Sequence, residues 1–229
     1  MKDISLIAFD ADDTLWECQT YFEAVEKEYC ELLKSYASAD EISKALFAVE
    51  TANMPLLGYG SKAFLLSLLE NAIEVSGGRL KADEVEKIIK LGKELLQLPG
   101  KPMDGVEETL KVLHERGEYH LVVFTKGELL DQENKFYRSG LKPFFDDIIV
   151  VSDKTEASYY QLCERFSINV EQLLMVGNSF RSDIEPVLKL GGWAAHIPFH
   201  TTWQHEVVEE YEHPHLLKLE YFTQLNQVL

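Results

Sequence analysis

Short apolar runs that alternate with helical patterns are the feature that most restricts how this chain can fold. The runs are apolar at successive positions, as in strands that are buried on both faces of a parallel sheet. Strands that alternate with helices favour an open sheet with right-handed crossover connections. The pattern predicts an α/β fold whose core is a Rossmann-like, doubly wound parallel sheet, with strands at residues 4–9, 121–124, 148–151, 173–176 and 194–197.

Residues 16–100 interrupt this alternation. They contain several amphipathic helical patterns, with apolar residues three or four positions apart, and no convincing strand. Residues 98–102 carry two prolines around a glycine and form a stiff return that suits a hinge. We therefore predict two domains: a sheet core made of residues 1–15 and 101–229, and an all-helical domain inserted at residues 16–100.

The composition restricts the partners of the protein. The chain has 229 residues, of which 46% are hydrophobic, which is ordinary for a globular protein. Its formal net charge of −17 argues against nucleic acid or an anionic membrane as a partner, because no basic stripe is available to neutralise phosphates. The three cysteines show no metal-site or disulfide spacing, and no apolar segment has the length of a signal peptide or membrane span. We therefore expect a soluble protein in the reducing cytoplasm.

Polar and charged residues directly follow four of the predicted strands. In an open parallel sheet, ligands bind beyond the carboxyl ends of the strands, so these residues are expected to share one rim. Three carboxylates within residues 10–13 repel one another, and more strongly when buried. A magnesium ion, which prefers oxygen ligands and bridges to phosphate, would compensate for that charge. The residues at the strand ends are Asp10, Asp12, Asp13 and Thr14, then Thr125, Lys126 and Gly127, then Ser152, Asp153 and Lys154, and finally residues 177–183.

These residues, in this order, resemble the haloacid dehalogenase-like hydrolase superfamily. The resemblance rests on DADDT at residues 10–14, on Thr125, on Lys154 and on GNSFRSD at residues 177–183. It covers the whole predicted core and implies that the inserted helices are an α-helical cap domain. In caps of this type, a loop between helices closes over the active site and contributes to substrate selection.

The resemblance also implies roles for the carboxylates. Asp10, the first residue after its strand, would be the nucleophile that forms an aspartyl-phosphate intermediate. Asp12 would protonate the leaving alkoxide and later accept a proton from the attacking water. Mg²⁺ would be held by the Asp10 carboxylate, the Asp12 backbone carbonyl and the Asp183 carboxylate. Asp13 is interpreted as a turn or helix-start residue.

Three further residues complete the predicted site. By resemblance, Thr125 would donate a hydrogen bond to the phosphoryl oxygens, and Lys154 would neutralise the phosphate and keep the nucleophile ionised. Lys126 and Lys142 are alternatives to Lys154, whose position after the third strand favours it. Asn178 stands where the family most often has aspartate; it can accept a hydrogen bond from the lysine or from a metal-bound water but brings no charge.

Several activities are compatible with this pattern. We favour Mg²⁺-dependent hydrolysis of a small-molecule phosphomonoester, because dehalogenases of this superfamily lack the second aspartate, which is present here as Asp12. A sugar-phosphate mutase keeps both aspartates and is the main alternative. A 2-haloacid dehalogenase is less favoured, as is a non-catalytic phosphate-binding protein, which would typically have lost Asp10, Asp12 or Lys154.

The predicted cap also contains candidates for substrate selection. Tyr59 is flanked by glycines, and Lys62 follows it closely, so both are predicted to contact the substrate from a mobile loop. The alternative interpretation is an ordinary turn between two helices. The sequence predicts a small phosphorylated metabolite as the substrate but leaves its identity, the oligomeric state and the role of residues 199–229 open.

Overall fold

The computed structural model of the chain describes residues 3–229. Within them the strands are β1 (Leu6–Phe9), β2 (His120–Lys126), β3 (Asp147–Val151), β4 (Leu173–Gly177), β5 (Trp193–His196) and β6 (Leu216–Lys218). They form one parallel sheet in the order β3-β2-β1-β4-β5-β6. Because β1 lies inside the sheet and the chain adds strands on both sides of it, the sheet is doubly wound. The predicted fold class is confirmed.

The described residues divide into two compact units. The sheet unit comprises residues 3–19, Pro99–Lys126 and Gln132–Leu229, and the helical unit comprises Thr20–Leu98 and Gly127–Asp131. The inserted helices are α1 (Gln19–Leu33), α2 (Ala39–Leu57), α3 (Ser61–Val75) and α4 (Ala82–Leu95).

Local sequence signals explain these helices. Ser38 and Glu41 form a reciprocal capping box that begins α2, and Ile42, Leu46 and Val49 then recur on its buried face. Helix α2 packs against α3, and α3 against α4. The Tyr29 hydroxyl on α1 donates a hydrogen bond to the Asn71 side-chain oxygen on α3 at 2.6 Å.

The remaining helices cover the sheet. They are α5 (Val106–Arg116), α6 (Leu129–Ser139), α7 (Glu156–Phe166), α8 (Glu185–Lys189) and α9 (Leu225–Val228). Ile7 and Phe9 of β1 pack into the core that contains residues of α5, α6 and α9, whereas Leu6 and Ala8 pack into the core formed with α7 and α8. All four are fully buried, which explains why β1 is apolar at every position.

The unit boundaries differ by a few residues from the predicted domain boundaries at 16 and 100. Trp16 is fully buried in the core of the sheet unit and pairs with Pro102 as an isolated bridge. The Met103 backbone N–H donates to the Leu15 carbonyl at 2.9 Å, so the outgoing and returning chains are joined inside the sheet unit. The segment Gly127–Asp131 clusters with the helical unit, where Asp131 accepts a hydrogen bond from the Ser61 hydroxyl at 3.0 Å.

The sequence prediction did not include β6. This strand is three residues long, lies at the edge of the sheet and is at most half-buried, so it lacks the apolar run that marks the others. Among residues 3–229, none of the helices combines the length and the apolar character needed to cross a membrane.

Candidate active site

Asp10 lies at the carboxyl end of β1 and is held by its backbone. Its N–H donates to the Val176 carbonyl at 2.9 Å, which extends the pairing of β1 with β4 by one residue. One carboxylate oxygen, Oδ1, contacts the Lys154 ammonium, and the other, Oδ2, accepts a hydrogen bond from the Thr14 hydroxyl at 3.3 Å. Asp10 is therefore a buried carboxylate in a fixed position, as a nucleophile requires.

Lys154 joins Asp10 to Asp183. Its Nζ contacts Asp10 Oδ1 and lies 2.6 Å from Asp183 Oδ1, and the lysine is 4% exposed. Burial alone would lower the pKa of Lys154, but the two carboxylates outweigh it and raise this pKa above its ordinary value. Burial and the neighbouring Asp183 charge together raise the pKa of Asp10 to about 7, and Lys154 limits the rise. The structure thus brings together three of the predicted site residues.

The two alternative lysines lie elsewhere. Lys126 pairs with Glu206, and its Nζ donates to the Ser182 hydroxyl at 2.9 Å. Lys142 places its ammonium 4.9 Å from the centre of the Tyr137 ring. Of the three lysines, Lys154, which follows β3, is therefore the one that contacts Asp10.

A π-helical turn, Phe180–Ile184, presents Asp183. The Ser179 N–H donates to Asp183 Oδ2 at 3.0 Å, and the buried Tyr159 hydroxyl donates to the Ser182 carbonyl at 2.9 Å. Gly177 at the end of β4 lies directly against this carboxylate: a Cβ at residue 177 would be 2.2 Å from Asp183 Oδ2. The glycine is therefore required by the close approach of a side chain.

Replacing Gly177 by alanine should displace Asp183 and weaken its contact with Lys154. We expect kcat to fall about 10²-fold, since a displacement of about 1 Å at a site can have that effect, and overpacking should lower stability by about 1–3 kcal/mol. Gly117→Ala is the control, because Gly117 has a φ of +64° but open space around it. That variant should lose stability while keeping kcat. Equal kcat in both variants and the wild type would contradict the assignment of Asp183 to the site.

The Asp12 side chain contacts residues that the sequence analysis missed. Lys135 Nζ lies 2.8 Å from both carboxylate oxygens, Gln132 Nε2 donates to Oδ2 at 2.8 Å, and the Trp16 indole donates to Oδ1 at 2.8 Å. Burial would raise the pKa of Asp12, but Lys135, Gln132 and Trp16 overcome it and lower this pKa below its ordinary value. Both oxygens of the Asp12 carboxylate are therefore held by hydrogen bonds.

A signal for Gln132 and Lys135 was present in the sequence. Both occupy the buried side of α6, together with Phe136 and Ser139, at the three- and four-residue spacing of a helix face. Long polar side chains on such a face need buried partners.

Thr125 is the last residue but one of β2 and is buried. Its hydroxyl accepts a hydrogen bond from Gln132 Nε2 at 3.2 Å. The same amide group contacts Asp12, so Gln132 links two predicted site residues.

The Asn178 side-chain amide lies next to oxygens of the segment that follows β1. The nitrogen of this amide lies 3.2 Å from Asp10 Oδ2, 3.2 Å from the Asp12 carbonyl oxygen and 3.0 Å from Thr14 Oγ1. With its nitrogen facing these oxygens, the Asn178 amide donates hydrogen bonds to them.

Asp183, a predicted metal ligand, contacts other groups of the chain. Both oxygens of Asp183 have partners, Lys154 and the Ser179 N–H. Among residues 3–229 no group of three or more histidine, cysteine, aspartate or glutamate side chains is arranged to hold a metal. The role of Asp183 as a metal ligand stays a prediction.

The C-terminal segment supplies a further carboxylate, Glu206. It pairs with Lys126 and accepts a hydrogen bond from the Ser182 hydroxyl at 2.9 Å, next to Asp183. Burial would raise the pKa of Glu206, but Lys126 and the Ser179 and Ser182 hydroxyls lower it. Arg181 contacts the His205 backbone carbonyl, which fixes the same segment.

Tyr59 and Lys62 belong to the helical unit. Tyr59 is half-buried, and Lys62 Nζ lies 3.1 Å from Glu128 Oε1. Glu128 is part of the segment that follows Thr125 in the chain.

Comparisons with known proteins give a consistent family. A model of the haloacid dehalogenase-like hydrolases matches residues 4–191. The solved structure of a haloacid dehalogenase-like family hydrolase from Xanthomonas campestris is 34% identical with a TM-score of 0.89, over 99% of this chain and 90% of that chain. A search of curated proteins finds no match.

More distant structures share the fold. A predicted phosphoglycolate phosphatase from Haemophilus somnus is 18% identical with a TM-score of 0.64, over 100% of this chain and 99% of that chain. A 2-haloacid dehalogenase from Pseudomonas syringae is also 18% identical with a TM-score of 0.64, over 98% and 97% of the two chains. The same fold thus carries both phosphatase and dehalogenase names among these neighbours.

Proposed function

This chain belongs to the haloacid dehalogenase-like hydrolase family, and on that premise we propose that it is a phosphatase that hydrolyses a small phosphomonoester through an aspartyl-phosphate. The observation that carries the proposal is the set of contacts around Asp10. Lys154 contacts one of its oxygens, and the other faces Thr14 and the Asn178 amide. A buried carboxylate with positive charge and donors on both sides suits attack on a phosphate dianion.

The residues of the chain have distinct roles in this proposal. An Asp10 oxygen attacks phosphorus, the bond from phosphorus to the ester oxygen breaks, and the ester oxygen takes a proton from Asp12. Water then attacks the aspartyl-phosphate, gives a proton to Asp12 and releases phosphate and Asp10. Lys154 offsets the charge of the phosphate, and Thr125 donates a hydrogen bond to it.

We propose that the Asp10 carboxylate, the Asp12 backbone carbonyl and the Asp183 carboxylate would hold Mg²⁺. The Lys154 ammonium contacts both Asp10 and Asp183, and the closeness of these two carboxylates supports this set. When bound, Mg²⁺ would neutralise phosphate charge and favour the attack of Asp10.

One observation favours a second candidate, a 2-haloacid dehalogenase. Such an enzyme needs the nucleophile but no proton donor for the departing halide. The Asp12 carboxylate already has four hydrogen bonds from Trp16, Gln132 and Lys135, as expected if its role were only to hold the fold. The contacts of the described residues do not specifically favour a mutase.

A substrate panel separates these activities. Purified protein should release phosphate from 4-nitrophenyl phosphate and from some members of a set of phosphorylated metabolites with Mg²⁺, and EDTA should reduce the rate by more than about 10²-fold. Release of halide from 2-chloropropionate, with no phosphate from any ester, would establish the second candidate. Phosphate release that EDTA leaves unchanged would contradict the metal assignment.

The same panel tests whether Tyr59 and Lys62 contribute to substrate selection. We propose a small phosphorylated metabolite of the cytoplasm as the substrate, with Tyr59 and Lys62 contributing to its selection. Alanine variants of these two residues should change the ranking of the metabolites. An unchanged ranking would remove both from the proposal.

A further inference from the structure

Lys135 is the main partner of the Asp12 carboxylate. Its Nζ lies 2.8 Å from each carboxylate oxygen, and its side chain is 3% exposed. Gln132 donates a hydrogen bond to Oδ2 of this carboxylate, and Trp16 donates one to Oδ1. The lysine is buried and the Asp12 carboxylate is partly buried, so both charges lose part of their hydration, and such pairs often contribute little net stability. Stability alone is therefore a weak reason for this arrangement.

The backbone of Lys135 is itself tightly packed. Gly100 adopts a φ of +61°, and a Cβ there would be 2.6 Å from the Lys135 carbonyl oxygen. Gly100 of the returning chain therefore lies directly against α6, and this contact holds the backbone of Lys135. The Lys135 ammonium is itself held by burial and by its hydrogen bonds to both Asp12 oxygens.

We propose that Lys135 is a positioning residue, which holds the Asp12 carboxylate in the orientation for proton transfer to and from the reacting oxygens. Gln132 assists it from the adjacent turn of α6 and joins Asp12 to Thr125. This inference rests on the proposed phosphatase activity. During cleavage of the ester, the proton leaves Asp12 for the ester oxygen, which becomes an alcohol. During hydrolysis of the aspartyl-phosphate, the proton returns from water to Asp12.

The role predicts a dependence on the leaving group. An alkyl alcohol is a poor leaving group and needs a proton from Asp12, whereas 4-nitrophenolate leaves without one. Lys135→Met should lower kcat on an alkyl phosphate such as glycerol phosphate by about 10²-fold or more. The loss on 4-nitrophenyl phosphate should be several times smaller. Lys135→Arg, which can still pair with a carboxylate, should recover part of the alkyl phosphatase activity.

The controls separate positioning from a general structural effect. Lys111→Met removes an exposed lysine from α5, which pairs with Glu115 at 4.0 Å, and should leave both rates unchanged. Asp12→Asn and the double variant Asp12→Asn/Lys135→Met should hydrolyse the alkyl ester at equal rates, because Lys135 acts through Asp12. If Lys135→Met alone fails to fold, the comparison of Asp12→Asn with the double variant still tests whether Lys135 acts through Asp12.

Two results would overturn the inference while the wild type remains a phosphatase. One is an equal loss on alkyl and aryl esters in Lys135→Met. The other is a further loss when Lys135→Met is added to Asp12→Asn. A wild type that hydrolyses no phosphate ester at all would instead refute the proposed function, and the positioning role with it.

Discussion

Asp10→Asn should abolish phosphate-ester hydrolysis, with kcat reduced by about 10³-fold or more. The amide cannot form the aspartyl-phosphate, and no other carboxylate contacts Lys154 except Asp183 among residues 3–229. The variant should fold, because it removes both the cost of burying a charge at residue 10 and the repulsion from Asp183, which together raise the pKa of Asp10. Steady-state rates with 4-nitrophenyl phosphate, together with thermal unfolding, test both expectations.

Asp13→Asn is the matched control for this prediction. Asp13 has a φ of 61°, which asparagine tolerates, and its carboxylate accepts hydrogen bonds from the Cys18 and Gln19 backbone N–H groups. The same chemical change three residues further along should therefore leave most of the activity. Full activity in Asp10→Asn would remove Asp10 as the nucleophile.

Lys154→Met should have the largest effect on stability. It leaves Asp10 and Asp183 buried without their shared ammonium, and loss of one partner from a buried ion pair costs about 3–5 kcal/mol. Catalytic activity should be lost as well, because the phosphate charge is no longer offset. Chemical denaturation in the presence of EDTA measures the free energy of unfolding.

The pH dependence of this variant has a defined sign. The pKa of Asp10 is already raised to about 7 from 3.8, and loss of Lys154 removes a contribution that lowers it. A carboxyl with a raised pKa in the folded state loses its stabilising contribution as pH rises through that value. The loss of stability in Lys154→Met should therefore be larger at pH 8 than at pH 5.5. Lys189→Met, which breaks the exposed pair with Glu185, should cost less than about 1 kcal/mol at both pH values. A loss of stability below about 1 kcal/mol in Lys154→Met would contradict the assignment of Lys154 as the buried counter-charge of Asp10 and Asp183.

The sheet and the centre of the site were predictable because strong local signals mark them. Each buried strand of the core is an apolar run, and the residue after the run is fixed at the rim by strand pairing, as Asp10 is by Val176. The position of Lys154 relative to β3 was enough to select it from the lysines nearby. Short or exposed elements such as β6 carry no such signal.

The partners of the site were harder to predict because they come from packing between distant segments. Lys135 and Gln132 reach Asp12 from α6, more than a hundred residues later in the chain. Asn178 is drawn to the Asp12 carbonyl by the pairing of β1 with β4, and Glu206 reaches Ser182 from a turn of the C-terminal segment. None of these contacts follows from the spacing of one residue type.

The lysines of the site have a consequence for how the protein can be handled. Asp10 and Asp183 share Lys154, and Asp12 has Lys135, so the protein itself supplies positive charge to these carboxylates. We therefore expect that the fold does not need a divalent ion to keep these acidic groups together. Chelator treatment should switch the enzyme off without melting it, and added magnesium should bring activity back without a refolding step.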